Sequence, residues 1–392
     1  MNTDFQRLMS EATGLTRGGD LQAATAAIQA ALLQGRLGGR PMPMPMPMPM
    51  PMPMPMPMPM PMPMPMPMPM PMPMPMPMPM PMREADAMVI DIEAPEVGEA
   101  RAPAPQAPTR DGRFISGSFA EAGLRRDYKL YIPPNAGSRP MPLVVMLHGC
   151  TQNPDDFAAG TAMNELAQAE GVFVLYPAQA QKANPQRCWN WFKHNHQQRG
   201  RGEPALLAGM TRDIVQRHGV DPKRVYVAGL SAGGAMAAIL AAAYPDLYAA
   251  VGVHSGLAAG IASDLPSALA AMKDGGRAAR ADAPNRVPTI VFHGGADAIV
   301  HPRNGDQVIA ASVGGGTTVE VQQLPGKRGR SCTRHVHRGA DGRVVAEHWL
   351  VHGAPHAWSG GSAKGSYTDV SGPDASAEML RFFQEHALQS VH

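Results

Sequence analysis

The stretch that decides the fold is Lys223 to Tyr244, KRVYVAGLSAGGAMAAILAAAY. Arg224 to Ala228 is a short β-rich run, and Met236 to Ala243 is a run of small helix-forming residues. Gly229-Leu230-Ser231-Ala232-Gly233 lies between them and follows the pattern G-x-S-x-G. A serine on so sharp a strand-to-helix turn projects its Oγ above the sheet from a strained backbone. Glycines two positions either side let strand and helix approach without a Cβ clash. The next amide, that of Ala232, then points at a developing oxyanion at the helix N-terminus. Ser231 is therefore the expected nucleophile and Ala232 an expected backbone oxyanion donor.

Outward from this point, residues 113 to 392 alternate strands and helices. Asp127 to Ile132, Leu143 to Leu147 and Gly171 to Tyr176 read as strands, with a helix expected over Asp156 to Glu170. Glu203 to His218 reads as helix, and Ala249 to Val253 and Val287 to Phe292 as strands, the last nearly all apolar and so covered on both faces. Thr317 to Leu324 and Val344 to Val351 are further strands, and Ala375 to Ala387 is a closing helix. The order predicts an α/β domain, a mainly parallel doubly wound sheet.

A serine hydroxyl needs a base, and the base an orienting carboxylate. Asp297, in His293-Gly294-Gly295-Ala296-Asp297, follows a buried strand, whereas Asp306 begins a helical run and reads as a cap. His356, in Gly353-Ala354-Pro355-His356-Ala357-Trp358, lies beyond a strand end in a stiff loop. His348 and His352 lie in or at the end of that strand and read as structural, while His335 and His337 fall in a basic, turn-like stretch. The second oxyanion donor is expected from the loop after an earlier central strand, Leu147-His148-Gly149-Cys150-Thr151-Gln152, through the Cys150 amide. The Cys150 side chain stays free for another role. Cys150 and Cys188 flank the expected site and could approach one another, although a reducing cytosol would keep them as thiols. Cys332, among basic residues, has no such placement.

The N-terminal third is different. Residues 1 to 35 carry two apolar stripes at helical spacing, separated by Gly18-Gly19, and predict a helical hairpin. Pro41 to Met82 is an uninterrupted Pro-Met repeat of 42 residues holding 21 of the 31 methionines. It can form neither helix nor sheet. Polyproline II is the state left to it, spanning up to roughly 130 Å at about 3.1 Å per residue. Residues 36 to 112 are read as one low-complexity linker. A net charge of +2 makes no case for nucleic acid or an anionic membrane, and three cysteines do not make a disulfide framework. No signal peptide or bilayer-spanning stretch is read in the sequence, so a cytoplasmic enzyme is expected, with non-classical export left open. No cofactor or metal is called for.

Taken together, LHGCTQ at Leu147 to Gln152, CWNWF at Cys188 to Phe192, GLSAGG at Gly229 to Gly234, HGGAD at His293 to Asp297 and HAWSGG at His356 to Gly361 resemble the polyhydroxybutyrate depolymerase family of esterases. The resemblance covers about residues 113 to 388 and implies an α/β-hydrolase fold. It implies Ser231 as nucleophile, Asp297 as orienter, His356 as base, and Cys150 and Ala232 as oxyanion donors. Trp189, Trp191, Phe192 and Trp358 would then contact a polyester chain, with a polymer granule surface as a further partner. The same family pattern also implies feruloyl or acetylxylan esterases as an alternative. A non-catalytic granule protein would require the triad to be inactive.

Overall fold

In the computed structural model the described residues are 112–121, 123–276, 287–313, 316–326 and 329–389. The expected hairpin at 1–35 and all of the linker expected at 36–112 except Gly112 lie outside them. The order begins with strands β1 (Arg113–Glu121), β2 (Leu124–Ile132) and β3 (Met141–Leu147), then helices α1 (Pro154–Thr161) and α2 (Met163–Glu170). There follow β4 (Phe173–Pro177), α3 (Gly202–His218), β5 (Val220–Leu230), α4 (Ala232–Ala243), β6 (Ala250–His254) and α5 (Leu265–Asp274). The chain continues with β7 (Thr289–Gly294), α6 (Arg303–Ser312), β8 (Thr318–Leu324), β9 (Cys332–Arg338) and β10 (Val344–Val351). It closes with the two-residue strands β11 (Trp358–Ser359) and β12 (Thr368–Asp369), and with α7 (Ala375–Gln384).

Ten strands form one sheet in the order β1-β2-β4-β3-β5-β6-β7-β10-β9-β8. The central run from β4 to β10 is parallel, while β1, β2, β9 and β8 pair antiparallel at the two sides. Alternate residues of each central strand feed opposite cores. Leu143, Val145, Val227 and Val291 join one apolar layer with Leu207 and Ile239. Val144, Met146, Tyr226 and Phe292 join the other with Phe157, Met379 and Phe383. This double burial explains why the central strands read as apolar runs. Among the described residues no helix is long and apolar enough to cross a membrane.

Two expectations are corrected. The single helix expected over 156–170 breaks at Ala162, which adopts a left-handed conformation (φ 53°). The Thr161 carbonyl, which a continuous helix would use internally, accepts instead from Ser376 Oγ of α7 at 2.7 Å. His335 and His337 lie in strand β9, not in a turn. Their polar segment is held as strand by ladders to β8 and β10 on both sides.

The loop from β4 to α3 is organised by one buried carboxylate. Glu203 accepts from the backbone and side-chain amides of Asn190, each at 2.8 Å, from Gln179 Nε2, and from Arg126 Nη2 at 3.3 Å. Burial opposes its charge, but hydrogen bonds from His196, Gln179 and Asn190 hold its pKa below the ordinary value. Replacing Glu203 by Ala strands the buried Arg126 charge, so chemical denaturation should register a loss of about 3–5 kcal/mol. An unchanged midpoint and slope would contradict this account of the loop.

Candidate active site

Ser231 joins β5 to α4 with φ 57° and ψ −119°, outside the ordinary regions for a residue with a side chain. The turn is tight because its glycines are in contact with backbone. A Cβ on Gly229 would sit 2.7 Å from the Leu147 carbonyl oxygen, and one on Gly233 would drive into that same oxygen. The Ser231 amide is used, donating to the His254 carbonyl at 2.9 Å. Among the described residues the Ser231 hydroxyl makes no hydrogen bond, and contacts of this kind often tighten only with substrate present.

The loop after β3 is fixed from several sides. Gln152 Oε1 accepts from the Gly149 amide at 3.0 Å, and Gln152 Nε2 donates to Asp156 Oδ2 at 2.9 Å and the Ser366 carbonyl at 3.1 Å. The Thr151 amide donates to the Gln186 carbonyl at 2.6 Å, with Thr151 itself at φ 67°. His148 Nε2 accepts from the Gln179 amide at 3.1 Å, so its proton lies on Nδ1, 2.8 Å from the Gly149 carbonyl. Cys150 is bonded to Cys188, which ties this loop to the one carrying the tryptophans. The two sulfurs the sequence left open as thiols are therefore joined. Among the described residues neither the Cys150 nor the Ala232 amide has an acceptor within the protein.

Asp297 is buried and held at both oxygens. Oδ1 accepts from the amides of Ile299 and Val300, each at 2.9 Å, and Oδ2 accepts from His356 Nδ1 at 2.7 Å. A second imidazole stands close by, His293, whose Nε2 donates to the Val300 carbonyl at 2.8 Å and lies 3.5 Å from Asp297 Oδ2. Burial raises the carboxyl pKa, but the bonds from His293 and His356 outweigh it and hold the group well below its ordinary value. Because Nδ1 carries the proton toward Asp297, Nε2 is the basic position of His356.

The aromatic contacts expected for substrate need revision. Trp189 and Trp358 are fully buried and offer no surface. Each indole N–H needs a partner in the interior: Trp189 donates to the His148 carbonyl at 3.1 Å, and Trp358 donates to Ser376 Oγ at 3.0 Å. Trp191 is 5% exposed and packs edge-on with Phe192, so Phe192, half-buried, keeps the most accessible surface of the four. Tyr367, which nothing in the local sequence signalled, is instead exposed at φ 52°, its hydroxyl 3.3 Å from Thr151 Oγ1 beside Cys150. Ile299, on the Asp297 loop, is also exposed.

An open, mainly parallel sheet with a serine turn after one central strand and an Asp–His pair after later strands at the same edge is the arrangement of the α/β-hydrolase fold. Residues 126–326 match the family described as esterase PHB depolymerase, and the chain belongs to that family. Among curated relatives it is 30% identical to poly(3-hydroxyalkanoate) depolymerase C of Paucimonas lemoignei over 240 residues, 57% of this chain and 56% of the relative. It is 33% identical to feruloyl esterase B of Thermothelomyces thermophilus over 140 residues, 36% of this chain and 47% of the relative. The chain thus spans about half the length of these relatives. The acetyl xylan esterase from Aspergillus awamori superposes with a TM-score of 0.50 at 18% identity, covering 70% of this chain and 99% of that one, a likeness of fold.

Buried imidazoles give the site a pH signature. Burial pushes the pKa of His148 down to about 4 and that of His348 to about 3. The unfolded chain takes up these protons below about pH 6.5, while the folded chain does not, so acid favours unfolding. The melting temperature should fall as pH drops from about 6.5 to 4, each histidine contributing up to about 1.4 kcal/mol per pH unit. Melts that stay flat across that window would contradict the neutral, buried assignment.

Proposed function

We propose that the protein is a serine esterase that hydrolyses short-chain polyhydroxyalkanoate esters, poly-3-hydroxybutyrate above all, through an acyl-enzyme on Ser231. The observation that carries this reading is the 2.7 Å bond from His356 Nδ1 to a buried Asp297, on the sheet edge where the Ser231 elbow ends. In the proposed reaction Ser231 Oγ attacks the ester carbonyl as His356 Nε2 takes its proton. The oxyanion is met by the Cys150 and Ala232 amides. Collapse breaks the ester bond, the leaving alkoxide takes the proton back from His356, and the acyl group stays on Ser231. Water then repeats the sequence and releases the hydroxy acid. Asp297 stays ionised and balances the imidazolium.

The polymer reading is favoured because the likeness to the bacterial depolymerase runs over 240 residues, against 140 for the feruloyl esterase. The alternative substrates are feruloyl or acetylxylan esters. In substrate contact, Phe192, Tyr367 and Ile299 replace the buried Trp189 and Trp358 in our reading. The 113–392 catalytic region, with the preceding hairpin and Pro-Met linker meeting a granule surface, belongs to the same proposal, as does a cytoplasmic location. The Cys150–Cys188 bond pulls the other way on location, since such bonds persist in oxidising compartments.

Two experiments test this. The purified chain should release 3-hydroxybutyrate from amorphous granules, and Ser231→Ala should abolish it, with Asp297→Asn lowering kcat about 10⁴-fold. Strong ferulate or acetate release from xylan esters with inert granules would transfer the assignment to the carbohydrate esterases. Alkylation of intact cells before lysis should label Cys150 and Cys188 as thiols if the enzyme resides in the cytoplasm. An unlabelled, bonded pair would refute that location.

A further inference from the structure

Strand β6 supplies none of the three proposed reacting side chains, yet it lies between β5, which leads to Ser231, and β7, which leads to Asp297. It ends at His254, aligned with Leu230 on one side and Phe292 on the other. The His254 carbonyl accepts the Ser231 amide at 2.9 Å. Its ring Nε2 accepts the Ser359 amide at 2.9 Å, three residues beyond His356. One residue therefore holds both the backbone of the proposed nucleophile and the loop of the proposed base.

The tautomer follows from the partners. A backbone amide only donates, so Nε2 must carry a lone pair and Nδ1 the proton, with Ser255 Oγ as its acceptor at 3.3 Å. The ring is stacked on Trp358 at 5.0 Å and on Phe292 at 5.8 Å between centroids, and it is buried along with Ser255 and Ser359. The ionisable groups facing it are His293, His356 and Asp297. Burial, followed by the two neighbouring imidazoles, holds its pKa well below the ordinary value. Protonation would set an N–H against the Ser359 N–H and release the loop.

We propose that His254, as the neutral Nδ1–H tautomer, is a positioning residue that keeps the His356 loop in register with the Ser231 elbow by accepting the Ser359 amide. The proposal rests on the Ser231–Asp297–His356 reading above and adds a residue that never touches substrate. A ring present only for its volume would need the stack on Trp358 and Phe292 but not the acceptor. The two requirements can be separated. His254→Phe retains an aromatic ring and strands the buried Ser359 amide. His254→Gln offers a carbonyl oxygen to Ser359 and an amide N–H to Ser255.

The test uses the full chain, steady-state hydrolysis of p-nitrophenyl butyrate, and fluorophosphonate labelling of Ser231. A displacement of about 1 Å in a reacting group costs about 10²-fold, so His254→Phe should lower kcat by about that factor with KM within about twofold. His254→Gln should recover most of the loss, and labelling rates should follow kcat. Ser255→Ala, which removes the Nδ1–H acceptor, should lower kcat severalfold. A folded His254→Phe with wild-type kcat, or His254→Gln as impaired as His254→Phe, overturns the proposal. Should His254→Phe fail to fold, Ser255→Ala decides, and an unchanged kcat there overturns it. Ser231→Ala that retains turnover removes the serine reading and this one together. An inert Ser231→Ala beside an unimpaired His254→Phe removes only the role of His254.

Discussion

The end of β3, the end of β5 and the start of α4 share a space with no room for a Cβ, because Gly229 and Gly233 both lie against the Leu147 carbonyl. That contact forces the turn at Ser231 into its strained conformation and brings the His148–Gln152 loop beside it. The remaining strained residues with side chains lie mostly in the surrounding loops. Thr151, Arg187, Ser255 and Tyr367 all have positive φ. Each lies in or next to a segment bonded to another loop of the same edge: Thr151 to Gln186 and Tyr367, and the residue before Ser255 to Ser231 and Ser359. Strain persists where neighbouring contacts over-determine the backbone, and here they do so at the sheet edge that carries Ser231, Asp297 and His356.

Charge is handled at this edge by keeping one group ionised and several neutral. Asp297 receives two backbone amides and an imidazole, which offsets its desolvation. His148 and His254, buried and committed to single tautomers by the amides they accept, hold loops without adding positive charge. His356, partly exposed, is the imidazole in this group bonded directly to the carboxylate at hydrogen-bond distance.

Much of the proposed site was legible in the sequence because the chemistry it would perform is written in short windows. G-x-S-x-G requires small residues at fixed offsets, and Asp297 and His356 each follow an apolar strand into a stiff, glycine-rich loop. The aromatic residues were not legible. Trp189 and Trp358 look alike whether they line a cleft or fill a core, and their burial depends on His148 and Ser376, remote in the chain. The role of His293 inside the quoted HGGAD stretch was missed because its partners, Val300 and Asp297, are set by the fold of the following loop.

The sequence by itself determined the α/β alternation, the elbow at Ser231 and the order of Ser, Asp and His, since these depend on residue type at local spacing. Only the tertiary structure decided that the helix after β3 breaks at Ala162, that His335 and His337 sit in a strand, and that Cys150 is joined to Cys188. It also decided that His254 connects Ser231 to the segment after His356. Each of these depends on a hydrogen bond, ladder or bond between residues far apart in the chain. Local propensity carries no information about such a partner until the sheet has brought it into reach.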